Sequence, residues 1–527
     1  MAMESAKIKR ADVIVVGAGI TGTIAAKILT EEGFDVIVLE AKDRVGGRLH
    51  TIKTSTSEYI DLGGEFIGPF DHKLMDLCEE LGVEIYKPPP PTGSLGFHSQ
   101  GRTVAYRTVF PIWNPIIWMD LNNFFRALKT ESAKIPRTAP WNAKNAAQLD
   151  QMTAKEWIEK TCYTKTAKQI ATALVTVTFC TEPGELSLLF LLWFRGTIGI
   201  LYYDFLFRVP PSFKVDAPRF IGGGQQICEK IVAPFKSQVH LSSPVQEISQ
   251  DGDKVTVKTQ SGNIYQADYT ICAVPRPMVQ HMTFSPPLPS LQSQAYQRIP
   301  MGSCIKTITY YSKAFWQDKG LSGTCVVLDD DAPVNFIIDD TKPGGKSPAL
   351  LSFFTAGKAR SLMSSTVKER KQTLLELYSR VFGSEEAKEP IDYAECDWSS
   401  EQYIEGGFAS FYPPGVITNF ARSMKSSFGR IHIATGENLQ LLTCYSMNGA
   451  IAAGSQAARQ VLYNSGRISG EDASQEGEEV NLFPQTVLTW KERAIPSVQS
   501  FLRMINFLIL LCTVGGLYIG CKKTQID

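Results

Sequence analysis

Three glycines near the start of the chain have the spacing of a phosphate-binding turn. Gly17, Gly19 and Gly22 form the pattern G-x-G-x-x-G, which follows the apolar run 12–16 and precedes a helix-like run over 23–32. The first glycine permits a tight turn, the second lets a pyrophosphate approach the backbone, and the third lets helix and strand pack closely. The helix N-terminus offers free N–H groups and a positive dipole end to the phosphates. This stretch therefore predicts a dinucleotide-binding unit.

An acid and an arginine follow where the rest of a dinucleotide would lie. A second apolar strand over 36–39 ends in Glu40, about 20 residues beyond the turn, where a carboxylate can accept hydrogen bonds from ribose hydroxyls. Arg48 closes the sequence V-G-G-R and brings a permanent charge whose fork of donors suits phosphate. A glycine-rich turn alone is a weak signal, but strand, helix, second strand and terminal acid occur here in order.

The composition is that of a folded protein with more than one domain. The chain has 527 residues, more than one hydrophobic core normally supports. Lys plus Arg and Asp plus Glu both number 53, so the net charge is zero and no nucleic-acid partner is expected. The 11 cysteines contain no C-x-x-C pair, and we find no signal peptide, which favours reduced thiols on the cytosolic side of a membrane. The six scattered histidines form no metal motif, so no metal is expected.

The texture of the chain alternates, which predicts two interleaved domains. We assign 12–83, 211–285 and 396–460 to a discontinuous cofactor-binding domain, because short buried strands and glycine turns recur there. Residues 84–210 and 286–395 would form a substrate domain that mixes helices with strands.

Two strongly apolar stretches need separate interpretations. Arg195 and Asp204 interrupt the stretch 186–207, which excludes a membrane span. This stretch predicts either a buried helix that runs into an apolar loop, or the wall of an apolar substrate cavity. Near the C-terminus an acidic linker, 464–490, precedes the apolar run 504–521. As a helix this run is about 27 Å long, enough for a thin bilayer, so we predict a transmembrane tail anchor.

The chain resembles the flavin-containing monoamine oxidases of the mitochondrial outer membrane. The likeness runs from about residue 12 to the C-terminal apolar run, and many of the shared motifs have no general physical meaning, which makes them specific. They include EAKDRVGGR at 40–48, DLGG at 61–64, FSPPLP at 284–289, GSCIK at 302–306, DDTKP at 339–343 and YPPG at 412–415. The resemblance implies the two-domain, α/β FAD-dependent amine oxidase fold. In that fold a Rossmann-type dinucleotide-binding domain is interleaved with an α+β substrate domain, and a C-terminal transmembrane helix follows.

The same resemblance assigns residues to the site. Those expected to bind FAD are Gly17, Ala18, Gly19, Thr21, Gly22, Glu40, Lys42, Arg48, Gly64, Val245, Gly436, Glu437 and Met447. Lys306 matches the lysine that holds a water against flavin N5 and assists the reaction with oxygen. Trp398 resembles a tryptophan packed near that lysine. From the residues alone, each assignment has an alternative. Lys306 could be an outward-facing lysine on an edge strand, and Trp398 could be an ordinary core tryptophan.

The chain departs from the family at the flavin link and at the substrate cage. Phe408 stands where the family has the cysteine bonded to the flavin, so we expect noncovalent FAD. Ala409 replaces one of the two tyrosines that sandwich the substrate nitrogen. Tyr445 or Ser446 could occupy the place of the second, so the cage is half lost or wholly lost.

The function implied by the resemblance is flavin-dependent oxidative deamination of primary or small amines, with O2 reduced to H2O2. Two alternatives stay open: a polyamine-type oxidase, whose relatives also hold FAD noncovalently, and a membrane-anchored FAD-binding protein with little activity. The expected partners are a small amine, O2 and a lipid bilayer. The expected location is the mitochondrial outer membrane, with the body facing the cytosol. The substrate and the oligomeric state, a homodimer included, stay undetermined.

Overall fold

The glycine-rich turn follows the central strand of a five-stranded parallel sheet. The protein is described here by a computed structural model, which covers residues 8–68, 71–88, 92–107, 114–198, 217–343, 347–425, 427–437, 445–474 and 493–523. The strands of this sheet lie in the spatial order Val239–His240, Val36–Leu39, Val13–Val16, Tyr269–Cys272 and Ile431–Ile433. Alternate residues of Val13–Val16 and Val36–Leu39 enter two different hydrophobic clusters, one on each face. Burial on both faces explains why these two strands are apolar throughout.

Two helices pack across the start of this sheet. The helix Ile20–Glu31 follows the glycine turn, and the helix Met447–Asn464 lies against it. A Cβ placed at Gly454 would lie 2.3 Å from the carbonyl oxygen of Thr21, so the glycine allows the two helices to approach closely. This contact brings a C-terminal segment of the chain next to the N-terminal turn.

A seven-stranded mixed sheet carries Lys306. Its spatial order is Asp392–Asp397, Cys304–Tyr310, Ala349–Thr355, Phe336–Asp339, Leu321–Val327, Ser94–Ser99 and Arg102–Tyr106. Only the pairing of Leu321–Val327 with Ser94–Ser99 is parallel. All seven residues of Cys304–Tyr310 are buried, and this strand pairs on both sides. The alternative of an outward-facing lysine on an edge strand is therefore wrong.

A second five-stranded sheet and two strand pairs complete the strands that the structure describes. The sheet has the order Lys9–Arg10, Ile264–Ala267, Lys254–Thr259, Val245–Asp251 and Thr283–Ser285, and the two strand pairs are Thr51–Ile52 with Ile60–Asp61 and Ile85–Tyr86 with Arg219–Phe220. All strands of the parallel sheet come from the three segments assigned above to the cofactor domain. The seven-stranded sheet draws almost entirely on the other two segments. The domain boundaries themselves stay a prediction.

The helices surround these sheets. Besides the two named above, the α-helices of the described residues are His72–Glu80, Pro115–Ser132, Ala146–Gln151, Ala154–Thr161, Lys165–Phe179, Leu188–Ile198, Gln226–Val232, Arg276–Val279, Ser290–Gln297, Ala356–Leu362, Val367–Phe382, Val416–Phe420, Gly470–Ser474 and Val498–Lys523. Short 3₁₀ helices occur at Pro140–Asn142, Ala233–Gln238, Gln317–Lys319, Glu385–Lys388 and Ala421–Lys425.

The apolar stretch 186–207 contains a buried helix. Residues 188–194, in the first part of Leu188–Ile198, are all buried in one hydrophobic cluster, which agrees with the first of the two interpretations of this stretch. Residues 199–207, where an apolar loop was expected, lie outside the described residues.

The predicted transmembrane anchor is not supported. Within the described part of the chain, no helix combines the length and the apolar character that crossing a bilayer requires. The helix Val498–Lys523 does pass through 504–521, but side chains are described only as far as residue 510. Of the predicted linker 464–490, residues 475–490 also lie outside the described residues.

Candidate active site

The three glycines of the turn differ in how closely other atoms surround them. Gly17 has φ +99°, and a Cβ there would lie 2.7 Å from the carbonyl oxygen of Ala273. A Cβ at Gly22 would lie 1.9 Å from the carbonyl oxygen of Gly17. At Gly19, by contrast, the nearest atom to a Cβ is the Cα of Gly47, at 3.8 Å. Packing within the protein requires the first and third glycines, whereas the second leaves a space that a phosphate group can enter.

Glu40 lies at the carboxyl end of the neighbouring strand and faces the same turn. Its carboxylate accepts hydrogen bonds from the backbone N–H of Ala18 at 2.6 Å and of Lys42 at 2.9 Å. Burial raises the pKa of Glu40, although these two N–H donors oppose the shift. The Lys42 side chain turns away to an ion pair with Glu401. Ionised, the Glu40 carboxylate has further lone pairs that can accept hydrogen bonds from ribose hydroxyls.

Arg48 contacts Glu437, a buried acid that is far from it in the sequence. Its guanidinium donates to the carbonyl oxygen of Phe408 at 2.6 Å and forms an ion pair with Glu437. Glu437 also accepts from the hydroxyl of Ser410 and lies 4.0 Å from the Nε of Arg276. Burial would raise the pKa of Glu437, but the charges of the two arginines outweigh this effect and lower it. The Arg48 side chain stays 34% exposed, so part of the guanidinium can reach a phosphate.

Arg276 is a buried residue of this site that none of the sequence motifs singles out. It is 3% exposed and donates to the hydroxyl of Tyr412 at 2.8 Å and to the carbonyl oxygen of Glu437. A signal was present, because Arg276 follows closely after the buried strand Tyr269–Cys272, which is parallel to the strand that leads into the glycine turn. Residues just beyond the carboxyl ends of adjacent parallel strands meet at one edge of the sheet.

Lys306 and Trp398 converge on the D-L-G-G turn at 61–64. The Nζ of Lys306 donates to the carbonyl oxygen of Gly63 at 2.9 Å, and the indole N–H of Trp398 donates to that of Leu62 at 3.0 Å. Both side chains are buried. The N–H of Gly64 in turn donates to the carbonyl oxygen of Arg48 at 3.1 Å. Thus the substrate sheet and the nucleotide-binding segment meet at this turn.

Glu65 is a second residue of this site that the sequence motifs do not single out. Glu65 is 1% exposed, and its Oε1 lies 3.2 Å from the Nζ of Lys306. Asp61, in the same turn, has its pKa raised to about 6 by burial first and by the charge of Glu65 second. The available signal was an acid directly after two glycines in an otherwise apolar segment.

Phe408 and Ala409 lie in a segment held against the start of the Lys306 strand. The N–H of Gly302 donates to the carbonyl oxygen of Ala409 at 3.1 Å, and the N–H of Gly407 donates to that of Gly302 at 2.9 Å. A Cβ at Gly407 would lie 2.8 Å from the Cβ of Trp398. Ala409 is buried, whereas Phe408 is 42% exposed.

Tyr445 belongs to an aromatic wall. Its ring centroid lies 5.6 Å from those of Phe190 and Phe194, both edge to face. Phe190 also packs against Tyr412 at 5.1 Å. The hydroxyl of Ser446 accepts from the N–H of Gly449 and so caps the helix Met447–Asn464. Of the two candidates for the second cage residue, only Tyr445 therefore adds a ring to this wall.

The other predicted cofactor residues lie around the same turn. Thr21 is buried in the first turn of Ile20–Glu31, and a Cβ at Gly436 would lie 2.9 Å from the Cα of Ala450 in the C-terminal helix. A Cβ at Gly64 would lie 4.0 Å from the Sδ of Met447. Val245 begins a strand two residues after Ser243, whose N–H donates to the carbonyl oxygen of Glu40.

These residues fit FAD. Gly19 leaves space that a pyrophosphate could enter, Glu40 has a carboxylate that could accept hydrogen bonds from ribose hydroxyls, and Arg48 has an accessible charge beside Phe408. Within the described residues, no group of three or more His, Cys, Asp or Glu side chains could hold a metal ion.

Alanine at Gly19 and at Gly22 is expected to separate cofactor binding from folding. Gly19 has φ −75°, which alanine adopts without strain, so Gly19→Ala should fold normally but bind FAD at least about tenfold more weakly. Gly22→Ala places a methyl group against a backbone carbonyl and should lower the melting temperature of the flavin-free protein as well. Thermal unfolding and flavin fluorescence titration measure the two effects. Wild-type FAD affinity in Gly19→Ala would contradict the assignment of this space to phosphate.

A family model and the similar proteins point to the same family. The family model for flavin containing amine oxidoreductases matches residues 20–462. The chain is 39% identical to flavin-containing amine oxidase A of Sus scrofa over 519 residues, 98% of this chain and 97% of the relative. It is 39% identical to the human flavin-containing amine oxidase B over 521 residues, 98% of each chain.

Solved structures are similar over most of the chain. A putrescine oxidase bound to putrescine superposes with a TM-score of 0.79 at 26% identity, covering 87% of this chain and all of that chain. Cyclohexylamine oxidase from Brevibacterium oxydans superposes with a TM-score of 0.78 at 28% identity, covering 87% of this chain and all of that one.

Proposed function

The chain belongs to the flavin containing amine oxidoreductase family and is an FAD-dependent amine oxidase, and from that premise we propose how its residues divide the work. The chemistry that FAD supplies when bound is two-electron oxidation of the amine to an imine, with the electrons passed to O2 to give H2O2. The glycine turn, Glu40 and Arg48 hold the dinucleotide. The observation that carries the proposal is the convergence of Lys306 and Trp398 on the turn that contacts Arg48.

Lys306 serves the oxygen half of the reaction. Its ammonium is buried and fixed by the Gly63 carbonyl, so it presents a positive charge that needs no reorganisation during the reaction. Negative charge develops on O2 as it is reduced, and a fixed cation in a dry site stabilises that charge. Oxidation of a neutral amine develops no comparable anion, so Lys306 contributes less to that half.

The substrate is an amine with an apolar substituent. Tyr445 is partly buried and packs edge to face against the buried rings of Phe190 and Phe194, and such an aromatic surface suits an aryl or alkyl group. Putrescine oxidase and cyclohexylamine oxidase are similar in structure and are named for a diamine and a cyclic monoamine. The aromatic residues favour a monoamine as the substrate, and oxidation of a polyamine is the second candidate function.

Anaerobic reduction by a panel of amines tests this proposal. Benzylamine, phenethylamine and cyclohexylamine should bleach the oxidised flavin absorbance faster than putrescine or spermidine does. Faster bleaching by the diamine or polyamine would assign the protein to the polyamine type instead. Absence of bleaching by every amine would refute the proposed substrate class.

Attachment to the outer mitochondrial membrane is a further part of the proposal. It is supported by apolar side chains near the C-terminus that are each about half exposed: Met504, Phe507, Leu508, Ile509 and Leu510. The full chain should stay with membranes after carbonate washing, and the chain truncated after Val480 should not. Release of the full chain by carbonate would rule out an integral anchor at 504–521.

A further inference from the structure

A buried carboxylate contacts the lysine of the oxygen reaction. Glu65 is 1% exposed, its Oε1 lies 3.2 Å from the Nζ of Lys306, and its Oε2 lies 3.8 Å from the Nζ of Lys342. Neither oxygen accepts a hydrogen bond from any residue that the structure describes. Glu65 therefore accepts no hydrogen bond from a described backbone N–H group, and its close contacts are with the two ammonium groups.

Two neighbouring cations, Arg219 and Lys342, form ion pairs with another buried acid, Asp340. Asp340 is fully buried between Arg219, at 2.6 Å, and Lys342, at 3.0 Å. Burial opposes the charge of Lys342, but Asp340 and Glu65 outweigh it and raise the pKa of Lys342. Among the described residues, Glu65 is the acid whose carboxylate lies within ion-pair distance of the Lys306 ammonium.

An unmatched buried ammonium is costly. The Gly63 carbonyl accepts a hydrogen bond from Lys306 but carries no net charge, so it cannot offset the removal of a cation from water. A carboxylate at 3.2 Å does so, and its attraction keeps the ammonium close to the turn that carries Glu65. Glu65 and the carbonyl of Gly63 belong to the same turn, so both contacts on Lys306 move together.

We propose that Glu65 is a positioning residue, whose charge holds the Lys306 ammonium in the place needed for the reaction with oxygen. This inference depends on the proposed role of Lys306. Glu65 itself need not touch O2, the amine or FAD. Its loss should affect the oxygen half-reaction through Lys306 and leave reduction by the amine nearly unchanged.

The test measures both half-reactions by stopped flow in Glu65→Gln, Glu65→Asp, Lys306→Met and the double variant of Lys306→Met with Glu65→Gln. Glu65→Gln should slow reoxidation by at least about tenfold and change reduction less than about twofold. Glu65→Asp keeps the charge and should recover most of the loss. In the Lys306→Met background, Glu65→Gln should have no further effect on reoxidation. Glu395→Gln is the matched control. Glu395 lies on the strand beside that of Lys306, where it pairs with Thr307, and forms an ion pair with Arg370 of the helix Val367–Phe382, both side chains being 8% exposed.

Urea unfolding of the full-length holoenzymes gives a readout independent of turnover. Lys306→Met leaves Glu65 buried without its nearest partner, so the double variant should unfold at a higher urea concentration than Lys306→Met. Equal losses in both half-reactions, or an undiminished effect of Glu65→Gln in the Lys306→Met background, would overturn the inference. If Lys306→Met leaves reoxidation unchanged, the proposed role of Lys306 fails and the catalytic part of the inference fails with it. The urea unfolding of the same variants then still shows whether the ion pair between Glu65 and Lys306 stabilises the fold.

Discussion

Replacement of Lys306 by methionine is expected to slow reoxidation of the reduced flavin by O2 by about 10²-fold, while reduction by the amine changes far less. The expectation follows from where charge develops, since only oxygen reduction creates an anion near the fixed ammonium. Methionine keeps an unbranched apolar stem, which limits collapse of the strand Cys304–Tyr310. Stopped-flow absorbance follows the two half-reactions separately.

The control for Lys306→Met must account for Glu65. Loss of the lysine leaves this carboxylate 3.8 Å from Lys342 and without its nearer partner, a change of the kind that costs about 3–5 kcal/mol of stability. The double variant with Glu65→Gln removes both charges and should recover stability without recovering the oxygen reaction. Equal slowing of both half-reactions in the double variant would show that Lys306 is structural.

Replacement of Phe408 by cysteine is expected to convert the flavin from acid-soluble to protein-bound. The resemblance to the family predicts that Phe408 occupies the position of the flavin-linking cysteine, and the carbonyl oxygen of Phe408 accepts a hydrogen bond from Arg48 at 2.6 Å. The side chain is 42% exposed, so a smaller residue creates no large core cavity. In the natural chain, acid precipitation should leave all flavin in the supernatant. In Phe408→Cys, a substantial fraction should remain in the washed pellet.

Flavin fluorescence of the pellet and of a denaturing gel measures this result. Phe408→Ser is the matched control, because it has nearly the same size as cysteine but no sulfur to form the link. Flavin retained in the pellet of the natural chain would show that another residue makes the bond; one candidate, Cys444, lies outside the described residues. Complete release from Phe408→Cys would mean that position 408 does not face the flavin.

The sequence by itself determined the nucleotide-binding unit and its neighbours. The runs at 13–16 and 36–39 are apolar throughout because both faces of a central parallel strand are buried, and such burial is visible as composition. Gly17 and Gly22 are required by contacts with backbone at a fixed short spacing, so the motif is local. The flavin-dependent amine oxidase family was also identifiable, because its motifs are contiguous segments.

The tertiary structure alone decided which side chains meet. Arg276 reaches Glu437 across 161 positions, and Lys306 reaches Gly63 across 243, distances in sequence that no periodic pattern encodes. The sequence left Lys306 open to an edge-strand position, and only strand order placed it inside the sheet. Glu65 had no sequence signal as a partner of Lys306, because an ion pair depends on the separation of two atoms in space and a motif records only separation along the chain.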